Sequence, residues 1–313
     1  MFTNIGERLR LAFLFALLLP GAARTLGSVD SLIEAVQNSE FRFARTQSDV
    51  PFPPAGWMEV RYTPRTDFKS SSGGIAPGSF VETAFSQGLL GPVYISQRDM
   101  VLLGENVFLE KADVQSGPYS DQRVLSVVPM AAWLRQIDRN NLGAAFIAPQ
   151  FSRELGHDDA WGAQAYAGVI VIHWKSDTLQ WVYGGVYEYS FGRNYIYPYL
   201  GALWMPNRKV SLSLTFPWPT LSYVPRDPFM LSIGLTPGGA SWVSERGGAK
   251  AVYSLNSWNL TANFAWRFYR KLWLQAGVGL TGLRSVKIAT GSGDTVIETD
   301  SNTVYKLSVQ FRL

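Results

Sequence analysis

Residues 258–268 alternate without a break. Trp258, Leu260, Ala262, Phe264, Trp266 and Phe268 share one face, and Asn259, Thr261, Asn263, Ala265 and Arg267 share the other. A period of two predicts a β-strand with unlike faces. The pattern returns at Leu272, Leu274, Ala276, Val278 and Leu280 against Gln275, Gly277, Gly279 and Thr281, with Trp273 interrupting the polar face. It returns again at Val210, Leu212, Leu214 and Phe216 against Ser211, Ser213 and Thr215, and at Leu231, Ile233 and Leu235 against Ser232, Gly234 and Thr236. At the C-terminus, Tyr305, Leu307, Val309, Phe311 and Leu313 oppose Lys306, Ser308, Gln310 and Arg312. Alternation alone does not say which face is inside. Length helps, because several runs reach roughly 10 to 14 residues, which suits a tilted membrane crossing better than the usual 5 to 6.

The connections alternate in length. Short turns are predicted at Asp138–Asn141, Ser176–Thr178, Pro206–Arg208, Pro225–Pro228 and Tyr269–Lys271. Longer polar loops are predicted around Ala112–Asp121, Arg153–Ala160, Ser244–Lys250 and Ser285–Ser301, with a tight corner at Phe216–Pro219. Short turns on one side and longer loops on the other fit a transmembrane antiparallel β-barrel. About 12 strands follow from near Asp99, and Trp57–Thr63 and Ser79–Gln87 raise the count to roughly 14; closed single-chain barrels take even numbers. Val252–Trp258 changes parity near Asn256–Ser257, which reads as a bulge.

The N-terminal part differs. Arg8 and Arg10, the apolar run Leu11–Leu19 and the small residues up to Ala23 have the order of a secretory signal, giving residues 1–23 as a signal peptide. Residues 24–54 read as a leader or short plug, with a helix-like spacing at Val29, Leu32, Ile33 and Val36 and a break at Val50–Pro54. Residues 55–313 form the expected barrel. Beyond the signal no run is long and apolar enough for a spanning helix.

Composition agrees with an all-β membrane chain. Mean hydropathy is +0.01, as expected where lipid-facing and water-facing sides cancel. The 11 Trp, 14 Tyr and 18 Phe supply interface girdles, for which Trp204, Trp218, Trp258, Trp266 and Trp273 are the candidates. There is no cysteine, so no disulfide, thiolate metal site or N-terminal lipid anchor is expected. The net charge of +4 comes with no basic block, and nucleic acid is not an expected partner.

Candidate chemistry is sparse. His157, in Gly156-His157-Asp158-Asp159, lies in a predicted loop and lacks further ligands at metal spacing. His173 ends a strand beside Ser176 and Asp177, and neighbours in one turn seldom assemble a triad. Gly277-Val-Gly279-Leu-Thr-Gly282 matches a dinucleotide pattern but lies inside a strand with no helix to follow. No cofactor, metal or catalytic residue is assigned. Glu188, Arg267, Lys306 and Arg312 are expected to face the lumen, where charges either set ion preference or pair to fill the barrel.

Two features carry a resemblance. The ending Tyr305–Leu313 resembles the C-terminal signal of bacterial outer-membrane barrels, with Leu313 where that family usually has Phe; it implies recognition by the barrel-assembly machinery. Tyr195-Ile-Tyr-Pro-Tyr-Leu-Gly-Ala-Leu-Trp204-Met-Pro, then Val210–Pro217 and Leu221–Tyr223, resembles a family of uncharacterised bacterial outer-membrane barrels, over about Trp181–Leu313. That resemblance implies fold and location, with outer-membrane lipid as the surroundings, and transfers no activity. The expected function is a narrow passive pore for small solutes or a structural barrel with external loops. A barrel enzyme acting on lipids through His157 or His173 is the rival. A secreted soluble β-sandwich binding carbohydrate through its aromatics is a third reading.

Overall fold

The computed structural model describes residues 38–41, 48–69, 78–116, 121–156, 161–190, 193–246, 249–290 and 293–312. The signal-peptide reading, His157 and Leu313 lie outside the described residues.

Strands run in chain order: β1 (Gly56–Asp67), β2 (Ser79–Ile95), β3 (Asp99–Ser116), β4 (Gln122–Asp138), β5 (Asn141–Glu154), β6 (Gly162–Trp174), β7 (Leu179–Ser190) and β8 (Arg193–Asn207). They continue with β9 (Val210–Ser213), β10 (Thr220–Arg226), β11 (Phe229–Arg246), β12 (Ala249–Tyr269), β13 (Leu272–Thr290), β14 (Gly293–Glu298) and β15 (Asn302–Phe311). Consecutive strands from β1 to β14 pair antiparallel, and β15 pairs with both β13 and β1, which closes the ring. β14 and β15 are two parts of one barrel strand, since both pair with β13, β14 along its upper half and β15 along its lower half. The 15 segments therefore make a closed barrel of 14 strands. Both optional strands, Trp57–Thr63 and Ser79–Gln87, are in the wall, so 14 replaces 12.

The alternation decides the faces. On β1, Met58, Val60 and Tyr62 are exposed, as are Leu260, Phe264 and Trp266 on β12 and Tyr305, Leu307 and Val309 on β15. Between them Asn259, Thr261, Ser308 and Gln310 are buried inside. A contiguous exposed apolar band around a closed sheet, with the polar side chains inward, is the inverse of a soluble sandwich and defines a transmembrane barrel.

The short turns lie together at one end with Phe311, where Ala55 N donates to Phe311 O at 2.8 Å and Arg312 N to Lys271 O at 3.0 Å. At the other end the predicted long loops are mostly strand. β3 runs to Ser116, β11 to Arg246 and β13 to Thr290, and Gly293–Glu298 pairs back on β13. Past the lipid band, water covers the outer face, so the ladder continues while the apolar-outward pattern stops.

The parity change at Val252–Trp258 also has a different cause from the one read in the sequence. β11 and β12 stay in register straight through it. Below it the apolar residues of β12 face lipid; above it Tyr253 and Leu255 face inward, into an apolar pocket. The extra residue belongs to β13, which takes three steps from Gly282 to Ser285 while β12 takes two from Asn256 to Trp258. Leu283 sits there with φ 47° and is 84% exposed.

One hairpin is low. β9 has 4 residues and β10 has 7, against 15 in β8 and 18 in β11. The strand pairing with β9 reaches no higher on β8 than Leu203, and that with β10 no higher on β11 than Gly234. Above the corner at Phe216–Pro219, β8 and β11 have no strand between them among the described residues. Without a neighbour there, the upper half of β11 leans inward. β11 comes within 8 Å of β5 (Cα–Cα), and Trp242 and Ser244 are buried, as are Ser152 and Glu154 of β5.

Candidate functional site

The lumen is the candidate site, and it has three levels. At the turn end, two pieces of the leader lie across the mouth. Phe41 packs with Met100, Leu142 and Trp174, on β3, β5 and β6. Val50 packs with Val224, Met230, Ala265 and Trp273, on β10 to β13, on the far side of the ring. Hydrogen bonds tie the leader to the rim: Glu40 N to Gln97 O at 2.8 Å and Asp49 N to Arg208 O at 2.7 Å. Ion pairs join Arg98 to Glu40 at 2.6 Å and Arg208 to Asp49 at 3.1 Å. Arg312 donates to Phe52 O at 3.3 Å.

The middle level is charged. Arg61 Nη2 lies 3.2 Å from Glu82 Oε1 and 2.8 Å from Glu110 Oε1. Arg284 also pairs with Glu82, and its guanidinium lies 4.9 Å from the centre of the Phe80 ring. Arg284 is 4% exposed, and among the described residues its Nε and Nη1 have no hydrogen-bond partner. Buried charges of this kind persist only when paired. Lys306 is in register with Arg61 on the same inner face.

Above the charges lies an apolar pocket of about 70 Å³, walled by Phe80, Val124, Trp242, Leu255, Ile288 and Ile297 among others. Trp242 and Tyr253 stack at 5.5 Å and 8°. An apolar interior at this level departs from the polar lumen of a water-filled porin.

The residues picked out in the sequence are placed as follows. Glu188 faces the lumen from β7, in register with Tyr166 and Tyr195. Arg267 faces inward at the turn end, paired with Asp227 and 5.8 Å from the Trp273 ring. Arg312 is buried at the base, donating to Gln310 and lying 5.9 Å from the same ring. Trp204, Trp218 and Trp266 are exposed on the outside, and Trp258 is half-covered there by Phe216, ring centres 5.9 Å apart. Trp273 is a correction. It is 5% exposed and faces the lumen, holding the leader, so it is no interface aromatic. Its place on the polar side of the alternation was the available signal. The exposed Trp133 and Trp181 were not singled out in the sequence.

His173 is in register with the exposed Trp181 and faces outward. Among the described residues its ring partner is Asn141, at 2.9 Å from Nδ1, and Asn141 in turn donates to Asp138 at 2.7 Å. That chain caps the β4–β5 turn. The Asn141 side chain and the Asn140 amide hold the Asp138 carboxyl below its ordinary value. No serine hydroxyl joins the chain among the described residues. Two of the three glycines of the dinucleotide pattern have a packing reason, and Gly282 borders open space. A Cβ on Gly279 would meet Leu260 O at 2.2 Å, and one on Gly277 would meet Asn263 Oδ1 at 2.3 Å.

A closed antiparallel barrel with an apolar outer band and a charged lumen is a transmembrane β-barrel. Residues 158–313 match the family described as Domain of unknown function (DUF6268), and the resemblance read over Trp181–Leu313 falls inside the matched stretch. No curated protein matches the chain. Among solved structures the fold is similar to the COG4313 outer membrane channel from Pseudomonas putida F1, at 12% identity and TM-score 0.45, covering 85% of this chain and 98% of that one. It is also similar to a Pseudomonas aeruginosa FadL homologue, at 11% identity and TM-score 0.48, covering 85% and 96%. The P. putida toluene transporter TodX is similar at 8% identity and TM-score 0.37, covering 84% and 91%.

Proposed function

We propose that this protein is an outer-membrane channel for small solutes, closed at its periplasmic base by its own leader. In this reading the short turns and both ends of the barrel face the periplasm. The observation that carries it is the way residues 38–41 and 48–54 are held. Phe41 and Val50 grip opposite walls, and the ties seen among the described residues include single hydrogen bonds and two rim ion pairs. No described leader residue is part of a strand of the wall. A segment that adds no strand to the wall leaves without unzipping the barrel, whereas a strand does not. Fourteen strands also lie between the filled eight-strand barrel and the roughly 16-strand porin with an aqueous channel. The apolar pocket at the outer end favours solutes that carry an apolar part.

The test is current across a planar lipid bilayer, with folding checked by a heat-dependent gel shift. The full chain is expected to give rare, brief openings, and a variant lacking residues 24–54 to give steady steps. Silence from both folded proteins would favour the structural barrel and remove the channel.

A further inference from the structure

Glu188 stands on the lumen face of β7 with a tyrosine beside it on each neighbouring strand. Its register partners are Tyr166 on β6 and Tyr195 on β8. Directly opposite residues on one face of a sheet have Cβ atoms about 4.5–5.5 Å apart, so both tyrosines stand next to Glu188 on the inner face. Tyr197 follows Tyr195 on the same face, their rings 12° from parallel and 6.4 Å apart. The outward tyrosines of β7, Tyr187 and Tyr189, have the lipid-facing place of a girdle; these three do not. Tyr195 and Tyr197 remain 42% and 38% exposed, on the inner side of the strand edge left open above the β9–β10 hairpin. Among the described side chains, no cation pairs with Glu188.

A carboxylate among ring faces with no cation beside it is a poor ligand set for a metal. Hard cations take six or more oxygens, and one carboxylate supplies two. An alkylated ammonium ion asks for something else: a single negative charge and π faces around its methyl groups, with little hydration to lose. We propose that Glu188, Tyr166, Tyr195 and Tyr197 form a binding site for an organic ammonium cation of about the size of choline. The carboxylate supplies the charge and the rings supply cation–π contact, and together they favour the cation over its neutral isostere. This site is independent of whether the barrel conducts.

The test is isothermal titration of the folded full chain in detergent with choline, and with 3,3-dimethylbutan-1-ol as its uncharged isostere. Saturable choline binding is expected below about 10 mM, with the isostere at least about tenfold weaker. Glu188→Gln and Tyr195→Leu are each expected to weaken choline by about tenfold or more, a loss of roughly 1.4 kcal/mol, while Tyr189→Leu on the outer face leaves it unchanged. Equal binding of choline and its isostere, or no saturation, overturns the proposal with the wild-type protein alone. Unchanged choline affinity in folded Glu188→Gln does the same.

Discussion

Asp49 Oδ1 lies 3.1 Å from Arg208 Nη2, joining the leader to the β8–β9 turn across 159 residues of sequence. Arg208 is 77% exposed, so this pair orients the leader more than it holds it. Exposed pairs contribute about 0.2–1 kcal/mol and weaken with salt. The apolar anchors contribute more.

Val50→Asp places an unpaired carboxylate among Val224, Met230, Ala265 and Trp273. Burying an unpaired charge is strongly unfavourable, so the leader should leave the mouth and the open fraction in bilayer recordings should rise at least about tenfold. Arg208→Ala should raise it only slightly, and less at high salt.

Glu82→Gln removes the carboxylate that both Arg61 and Arg284 reach. Breaking a buried pair from one side costs about 3–5 kcal/mol. Unfolding by urea in lipid vesicles should show that loss. Glu82→Gln combined with Arg284→Met should recover most of it, since no buried guanidinium is then left over.

Leu283 holds a φ of 47°, a left-handed conformation that suits glycine. Its side chain is exposed, so Leu283→Gly loses little packing. The variant should match or exceed wild type by about 1 kcal/mol, and Leu283→Val should lose stability in the same urea measurement.

Pro198 and Pro237 stand on the two strand edges above the low hairpin. Leu214 N donates to Ala202 O and Leu235 N to Pro219 O, so the even residues of β8 and the odd residues of β11 turn their backbone groups toward the opening. At both prolines the group facing it lacks an N–H, which blunts an edge that would otherwise recruit another strand. Pro198→Ala with Pro237→Ala should increase self-association of the detergent-solubilised barrel in sedimentation, and equal sedimentation would show that the prolines do not protect the edges.

Much of this barrel is set by a two-residue period. Trp258–Phe268 and Tyr305–Phe311 take the faces their alternation predicts, because lipid on one side and a polar lumen on the other select one register for each strand. The turns at Asp138–Asn141 and Tyr269–Lys271 are equally local. The inner apolar pocket and the Tyr166–Glu188–Tyr195 row needed the pairing of strands distant in the chain. The sequence around Tyr253 and Leu255 shows only that the apolar parity changes, and that local pattern fits a bulge as well as an inward-facing wall. Trp273 shows the same limit: alternation puts it on the polar face, but only the leader, packed there through Val50, explains a buried indole. The chain by itself determined that it is a membrane barrel, since the period and the solvent are local matters. The tertiary structure decided that 14 strands close it, that β11 leans inward where β10 stops short, and that Phe41 and Val50 pack on opposite sides of the mouth, because each depends on which distant surfaces meet.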